Sequence, residues 1–500
     1  MKVRLMFPNC DFDPDTKLPV NAADLAQDLE MEPIFAAMDA GNELLGKTVR
    51  TALFSSAYND LETILWRQGV LRDCLENERA IHTLFEIALE PVQLRKSMFL
   101  LFNSHHPSFV LSDGRRMLEG LHGVLMKLST FASNHQDTFQ SQALRNLCAI
   151  LVKELDPEYL AEVKRQLKTL NFHHGLLFSA RLGPGSEGQD LVPHAFVPER
   201  WAWLRELLGN APPHYCFSID PRDESGVHEL GELQDAVLVE IAHSTVQAAQ
   251  HVETFFTILR TELAFYIGCL NLHRHLADKN IPVCFPEITG SPCTFKFKDL
   301  RDASLSLLQT GSVVGNDLEA WATPLIMITG ANQGGKSTFL RSIGLAQIMM
   351  QAGMFATAQY FAADLRDGII THYRRREDQE LNSGKFDEEL RRISKIIDHV
   401  GRAPLFLFNE SFAATNEREG SEVARQIITA LVEQGGHVVF VTHMYALAEA
   451  FQDNAAVRTC FLLAERGEGG RRSFRILPGT AQATSFGRDL YWQVFGDGAT

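Results

Sequence analysis

The amino-acid sequence predicts an α + α/β fold, in which a helical region, residues 1–290, precedes an α/β region, residues 291–500. Two observations predict it. Apolar residues recur at three- and four-residue spacing in much of residues 20–180 and in residues 229–277, which is the period of amphipathic helices. From about residue 290 onward, short apolar runs alternate with helical patterns, which is typical of a mainly parallel sheet covered by helices.

Helical spacing in the first region is clearest in four segments. Each has apolar residues three or four positions apart, so that they line one face of a helix. The segments are Asp24–Met38, Leu61–Leu75, Ser112–Thr130 and Glu158–Leu170.

One long helical pattern covers residues 229–277, which contain no proline and only two glycines, Gly231 and Gly268. At 1.5 Å per residue an unbroken helix of this length runs roughly 70 Å, more than a globular domain needs. We therefore predict a lever-like helix in the helical region. The alternative is two ordinary helices with a kink near Gly268.

The α/β region contains strand-sized apolar runs with helical patterns between them. The predicted strands are Pro324–Ile328, Pro404–Phe408 and His437–Thr442, and the predicted helices are Phe386–Val400 and Glu419–Glu433. Near the end of the chain, Arg458–Ala464 and Arg472–Leu477 flank a glycine-rich segment and are predicted to form a hairpin.

Composition and charge restrict the class of protein. The formal net charge of −15 argues against nucleic-acid binding through a broad basic surface, but it does not exclude binding in a local basic groove. The eight cysteines form no Cys-x-x-Cys pair, so neither a disulfide framework nor a zinc site is expected. We find no secretion signal and no apolar run long enough to span a membrane, and we predict a soluble, cytoplasmic protein with no membrane contact.

A phosphate-binding loop is predicted in TGANQGGKST, residues 329–338, which lies between an apolar strand and a helical segment. Backbone N–H groups of such a loop cradle a triphosphate, with Lys336 on the β- and γ-phosphates and Ser337 on Mg²⁺. The alternative is a glycine-rich turn with a chance Lys-Ser pair. The predicted nucleotide-binding residues of the loop are Gly330, Ala331, Asn332, Gln333, Gly334, Gly335, Lys336, Ser337 and Thr338.

Three further elements follow the loop in sequence. Asn409 and Glu410 come directly after an apolar strand, where an acidic residue orders Mg²⁺ or polarises the attacking water. His443 follows the next strand, and the segment Asn382–Lys385 precedes a helix whose N-terminus suits a phosphate. Two of these residues have an ordinary alternative to a catalytic role. A single glutamate at this position is often a solvated cap, and a single histidine often lies packed in the core or on the surface.

The order of these elements along the chain and their amino-acid sequences resemble those of the MutS family of ATPases, a branch of the ABC-type ATPases. The resemblance is strong over the α/β region and weaker over the helical region, where it includes residues 28–45. The matching segments of the α/β region are TGANQGGKST at 329–338, GNDL at 315–318, NSGK at 382–385, FNESFAATNEREG at 408–420, VTHMYAL at 441–447 and ATSFG at 483–487.

The resemblance implies a role for individual residues. ATP is the implied nucleotide, and Lys336, Glu410 and His443 fall on catalytic positions, with Glu410 positioning water and His443 acting as a switch. Asn316 and Asp317 are implied to shape the nucleoside pocket. Mg²⁺ is implied to be held, partly through water, by Ser337, Asn409 and Glu410.

A signature loop is implied at Asn382, Ser383, Gly384 and Lys385, which in this family reaches the γ-phosphate of the partner subunit. ATP is then sandwiched between two subunits. The resemblance therefore implies a homodimer.

Two departures from the family pattern bear on function. Asn409 stands where the family usually has aspartate, and an amide brings no charge to Mg²⁺, so we expect slow hydrolysis. We also expect the chain to lack the family's N-terminal mismatch-recognition and connector domains and clear C-terminal dimerisation helices. Mismatch reading itself is therefore not expected from this chain.

The sequence thus leads to two functional hypotheses. The first is a homodimeric, ATP-gated clamp that acts on DNA structures, duplex or branched. The second is a nucleotide-gated binding switch or scaffold with little hydrolysis, which acts on RNA, a ribosome or a protein partner.

Overall fold

The computed structural model describes residues 1–98, 106–172, 176–184, 188–194, 218–220, 222–330, 333–374, 385–397, 401–452, 456–466 and 472–480. The chain divides into two compact units. The first unit comprises residues 1–3, 79–140 and 144–260, and the second comprises residues 4–78, 141–143 and 261–500. The predicted α + α/β class is confirmed, because helices dominate the first part of the chain and two sheets with helices follow. The predicted division at residue 290 stays a prediction.

The first unit is built mainly of helices and one two-stranded sheet. Its small apolar clusters join Met117 and Leu121 of one helix to Ala249 of another, and Leu111 to Leu238. Strand β1 (Leu177–Leu182) pairs with β2 (Gly188–His194) in antiparallel fashion. The helices are α5 (Glu78–Met98), α6 (Pro107–His135), α7 (Gln142–Glu154), α8 (Pro157–Thr169) and the first part of α9 (Glu224–Asp278).

Helix α9 is one continuous helix of 55 residues that contains the range 229–277, and it is not divided into two helices near Gly268. A Cβ atom at Gly268 would lie 2.7 Å from Cγ1 of Val49, a distance that side chains do not tolerate. The glycine therefore permits close packing against the helix that carries Val49 and does not interrupt α9. A lever function for α9 stays a prediction.

By length and composition alone, α9 is also apolar enough to cross a membrane, although polar residues interrupt its apolar runs. In its most apolar window of 18 residues, 78% is buried inside the protein. That degree of burial is typical of a core helix, which passes the same test.

The N-terminal part of the second unit contains α1 (Ala22–Asp28), α2 (Glu32–Asp39), α3 (Glu43–Phe54), a short 3-10 helix (Ser56–Tyr58) and α4 (Leu61–Glu76). The prediction of one helix over Asp24–Met38 is wrong. Glu30 has a φ of 47°, in the left-handed region, and Pro33 lies in the first turn of α2. A left-handed residue ends a helix, and proline favours the first turn of the next helix. The predicted segment therefore forms two helices, α1 and α2.

The main sheet of the second unit has the strand order β12-β11-β6-β10-β9-β8 and is parallel except at the edge strand β12. Every residue of β6 and β10 is buried, as expected for a parallel sheet covered on both faces. The predicted strands and terminal hairpin are present with small shifts. Their bounds are β6 (Leu325–Thr329), β8 (Ile369–Tyr373), β9 (Leu405–Asn409), β10 (His437–Val441), β11 (Thr459–Arg466) and β12 (Arg472–Pro478).

A second sheet, which we did not predict, has the order β3-β7-β4-β5. Its strands are β3 (Glu287–Ile288), β4 (Phe295–Leu300), β5 (Asn316–Ala320) and β7 (Tyr360–Ala363). Helices of the same region are α10 (Ala303–Leu308), α11 (Lys336–Gln351), α12 (Lys385–Ile397), α13 (Glu417–Glu433) and α14 (Tyr445–Gln452). Thus α12 and α13 correspond to the two helices predicted from the sequence.

A buried carboxylate, Glu262 of α9, fastens the N-terminal segment of the second unit. Its oxygens accept hydrogen bonds from the backbone N–H groups of Leu5, Met6 and Phe12, the last at 2.8 Å. Burial raises the pKa of Glu262 to about 7, although these three N–H groups act in the opposite direction. The carboxyl group therefore provides the acceptors for three buried donors in one segment.

We expect Glu262→Ala to lower the thermal midpoint of unfolding by about 4 °C or more, because three buried N–H groups lose their acceptor. Between the ordinary value of 4.5 and about 7, the folded carboxyl keeps a proton that the unfolded chain has released. Its contribution to stability therefore falls as the pH rises through 7. The difference between wild type and variant should be larger at pH 5 than at pH 8.

The matched control is Glu240→Ala, at an exposed position on the same helix, which should shift the midpoint little at either pH. An unchanged midpoint for Glu262→Ala would contradict the proposed role of the carboxyl group. A difference that grows with pH would contradict the sign of its pKa shift.

Candidate nucleotide-binding site

The predicted phosphate loop connects the end of β6 to the first residue of α11, Lys336. Gly330 has a φ of 112° and Gly335 a φ of 91°, both in the left-handed region that favours glycine. A Cβ atom at Gly330 would lie 3.0 Å from the backbone N of Ala464 on β11, so the loop also needs glycine for close packing. Ala331 and Asn332 lie outside the described residues.

Lys336 is turned into the loop and is only 4% exposed. Its Nζ donates a hydrogen bond to the carbonyl oxygen of Gly330, at 2.8 Å. Burial lowers the pKa of Lys336, while the charge of Glu410 acts in the opposite direction. An ammonium group held at the N-terminus of a buried helix is suited to neutralise phosphate oxygens.

The rest of the described loop is fixed by its neighbours. Gln333 has a φ of 60°, and its side-chain oxygen accepts a hydrogen bond from the guanidinium of Arg472 on β12. Gly334 is buried, and Thr338 lies in the first turn of α11. The loop is therefore held between β6, α11 and the terminal hairpin.

Two of the predicted Mg²⁺ ligands meet directly. The Ser337 hydroxyl donates a hydrogen bond of 2.9 Å to Oδ1 of Asn409, the last residue of β9. Hydroxyl and amide oxygens are ligands that Mg²⁺ accepts, and the ion usually takes further ligands from phosphate and water. Among the residues that the structure describes, no group of three His, Cys, Asp or Glu side chains is arranged to hold a metal ion. A site that is completed by nucleotide phosphates fits this arrangement.

Glu410 and His443 lie together because β9 and β10 are parallel neighbours that end at the same edge of the sheet. The backbone N–H of Glu410 donates to the carbonyl oxygen of Val441, at 2.9 Å. Nδ1 of His443 is 4.0 Å from Oε1 of Glu410, and both side chains are partly exposed. The two side chains can therefore face a ligand at the end of the loop.

A cavity of about 390 Å³ lies beside the loop. Seven predicted site residues line this one space: Asn316, Gln333, Gly335, Lys336, Ser337, Thr338 and Glu410. An apolar part of the wall comes from residues that we did not predict: Leu300, Leu305, Val313 and Phe474. These residues are scattered between β4 and β12, and no local pattern in the sequence identifies them as a group.

The two residues predicted at the nucleoside pocket lie in different surroundings. Asn316 lines the cavity, and its side-chain amide bridges β5 to β12, because Oδ1 accepts a hydrogen bond of 2.8 Å from the N–H of Ile476. Asp317 is exposed, accepts a hydrogen bond of 2.7 Å from the N–H of Asp299, and is not part of the cavity lining. Asn316 thus shapes the wall by holding β12 in place.

The predicted signature residues Asn382, Ser383 and Gly384 lie outside the described residues, as does the ATSFG segment at 483–487. Lys385 is the first residue of α12.

Two protein-family models match parts of the chain. Residues 59–279 match the model of the MutS2 N-terminal domain. Residues 326–489 match the model of MutS domain V, and this match contains the phosphate loop, Glu410 and His443.

Several curated relatives each match part of the chain. The DNA mismatch repair protein MutS of Clostridium kluyveri is 26% identical over 293 residues, which cover 57% of this chain and 32% of the relative. The endonuclease MutS2 of Lacticaseibacillus casei is 34% identical over 221 residues, 42% of this chain and 27% of the relative. MutS of Thermus thermophilus is 30% identical over 178 residues, 35% of this chain and 22% of the relative. The chain spans about a third or less of the length of these relatives.

The two family models match separate parts of the chain and together cover more than half of it, and both describe MutS-type proteins. The chain belongs to the MutS family.

Proposed function

We propose that this protein binds Mg²⁺ and ATP in the cavity beside the phosphate loop and hydrolyses ATP slowly. The observation that carries the proposal is the meeting of Lys336, Ser337 and Glu410 in one cavity. Lys336 and Ser337 are neighbours in the loop, whereas Glu410 follows a different strand, so a local turn does not explain why Glu410 lines the same cavity. Membership of a family of ATPases supports it.

Each part of the cavity has a distinct task in this proposal. Lys336 and the N–H groups at the start of α11 bind the β- and γ-phosphates. Ser337 and Asn409 hold Mg²⁺ together with phosphate oxygens and water. The apolar wall that includes Leu300 and Phe474 covers the nucleoside.

Glu410 orients the water that attacks the γ-phosphate. His443, 4.0 Å from the Glu410 carboxylate, senses whether the γ-phosphate is present. Since Asn409 carries no charge, Mg²⁺ is held more weakly than by a carboxylate, and turnover is slow.

For the assembly, we propose a homodimer in which Asn382–Lys385 of each subunit contacts the nucleotide of the other. The dimer acts as an ATP-gated clamp on duplex or branched DNA in the cytoplasm, in a process related to DNA repair. Support comes from the family and from the names of the relatives, which include DNA mismatch repair proteins. The long helix α9 suits an arm of such a clamp.

Steady-state ATP hydrolysis tests the proposal. We expect wild-type protein to hydrolyse ATP, with a specific activity that rises with protein concentration if a dimer completes the site. Glu410→Ala should reduce kcat by about 100-fold or more, because the water loses its orienting carboxylate. Equal, negligible rates for wild type and variant, both of which still bind ATP, would contradict the proposed activity.

Asn409→Asp separates the ATPase from the alternative of a nucleotide-gated switch that acts on RNA, a ribosome or a protein partner. We expect a gain in kcat of no more than about tenfold, which corresponds to roughly 1.4 kcal/mol of additional charge stabilisation in the transition state. Rates measured at saturating ATP and Mg²⁺ are the appropriate readout. An inert wild type that gains far more than this upon substitution would identify a switch.

DNA binding is tested by fluorescence anisotropy with duplex and branched DNA. We expect saturable binding that weakens steeply as salt rises, since contacts to phosphates release counterions. Heparin, a polyanion that is not a nucleic acid, serves as the competitor. It identifies binding to DNA that depends on charge alone. Absence of binding at low salt, with and without ATP, would exclude DNA as the partner.

A further inference from the structure

We propose that Glu389 of α12 is a positioning residue for Glu410, acting through the backbone of Phe412. This inference rests on the proposed ATPase function and deepens it. Glu389 does not line the cavity, so its effect on turnover must pass through the turn that carries Glu410.

The turn after β9 has an unusual backbone. Glu410 has a φ of 53° and Phe412 a φ of 64°, both in the left-handed region. Residues with a Cβ atom adopt this conformation at a cost of about 1–2 kcal/mol each. It persists only where surrounding contacts determine it. The orientation of the Glu410 carboxylate therefore depends on the contacts that hold the turn.

On one side, strand β8 holds the turn. The Ser411 hydroxyl donates a hydrogen bond of 2.7 Å to the carbonyl oxygen of His372, and Nδ1 of the same histidine lies 2.7 Å from the hydroxyl oxygen. The buried ring of Phe412 stacks on the imidazole, with 6.0 Å between ring centroids and an angle of 16°. These contacts fix the middle and the end of the turn.

On the other side, helix α12 supplies one acceptor. Oε2 of Glu389 accepts a hydrogen bond of 3.1 Å from the backbone N–H of Phe412. This N–H belongs to the second left-handed residue, two positions after Glu410. The bond therefore opposes rotation of the turn toward an unstrained conformation.

The surroundings of Glu389 combine burial with a backbone donor and two nearby positive charges. Burial raises the pKa of Glu389, whereas the N–H of Phe412 and the charges of Arg392 and Arg374 lower it. Arg392 donates to the carbonyl oxygen of Tyr373, at 2.8 Å, and the backbone N–H of Arg374 donates to the carbonyl oxygen of Asn409, at 3.1 Å. Glu389 thus lies among groups that fasten the end of β8 to α12 and β9.

The test is steady-state ATP hydrolysis by the full chain with four substitutions, one of which is the inactive reference Glu410→Ala. Glu389→Ala removes the acceptor and should lower kcat by about tenfold to 100-fold, as expected when a catalytic group is misplaced by about 1 Å. The KM for ATP should change by less than about twofold, because the cavity lining is intact. Glu389→Gln keeps an oxygen acceptor and should restore kcat to within about threefold of wild type.

Glu388→Ala is the matched control, since the neighbouring residue on the same helix is exposed and should leave kcat unchanged. Wild-type kcat in Glu389→Ala, alongside an inactive Glu410→Ala, would overturn this inference and leave the ATPase intact. Equal losses in the alanine and glutamine variants, or a loss of ATP binding in Glu389→Ala, would also overturn it. Wild-type protein no more active than Glu410→Ala would overturn both the inference and the proposed activity.

Discussion

The burial of helix α11 is the constraint on which the candidate site depends. From Phe339 to Gln351 its residues are buried, so the helix cannot shift without disturbing the core of the second unit. Two of its buried side chains are held by partners: Nε2 of Gln347 donates to the carbonyl oxygen of Asp364, at 2.9 Å, and Arg341 forms a buried ion pair with Asp302. Satisfied buried groups of this kind favour one position of the helix. That position places Lys336 and the phosphate loop at the end of β6.

The parallel sheet supplies the other half of the site. Since β6, β9 and β10 lie side by side and run in the same direction, the residues that follow each strand meet at one edge. Asn409 reaches Ser337 there, and Glu410 reaches His443. Ligands of open α/β sheets bind at this edge for the same reason. The strand order thus brings residues that are distant in sequence together at one edge of the sheet.

Much of this was predictable from the sequence, because the strands of the main sheet are continuous apolar runs and the loop between β6 and α11 has a strict spacing. The second sheet was not predicted. Its β7 is only four residues long, and β4 reads FKFKDL, an alternation of phenylalanine and lysine that indicates a half-buried strand and that we overlooked. The break at Glu30 was missed because a left-handed residue other than glycine has no clear signature in sequence. The apolar wall with Phe474 and the contact of Glu389 with Phe412 depend on tertiary packing, which periodicity does not report.

The most direct test of the account is the equilibrium binding of ATP, with Mg²⁺, to wild-type protein and to Lys336→Met, measured by isothermal titration calorimetry. Methionine fills the buried space of the lysine stem without its charge, and the thermal midpoints of the two proteins establish that both are folded. The account predicts saturable binding at one site per chain, weakened at least about tenfold by the substitution, as expected for loss of a charged contact to phosphate. Equal affinity in the two proteins, or no binding by wild type at millimolar ATP, would contradict it.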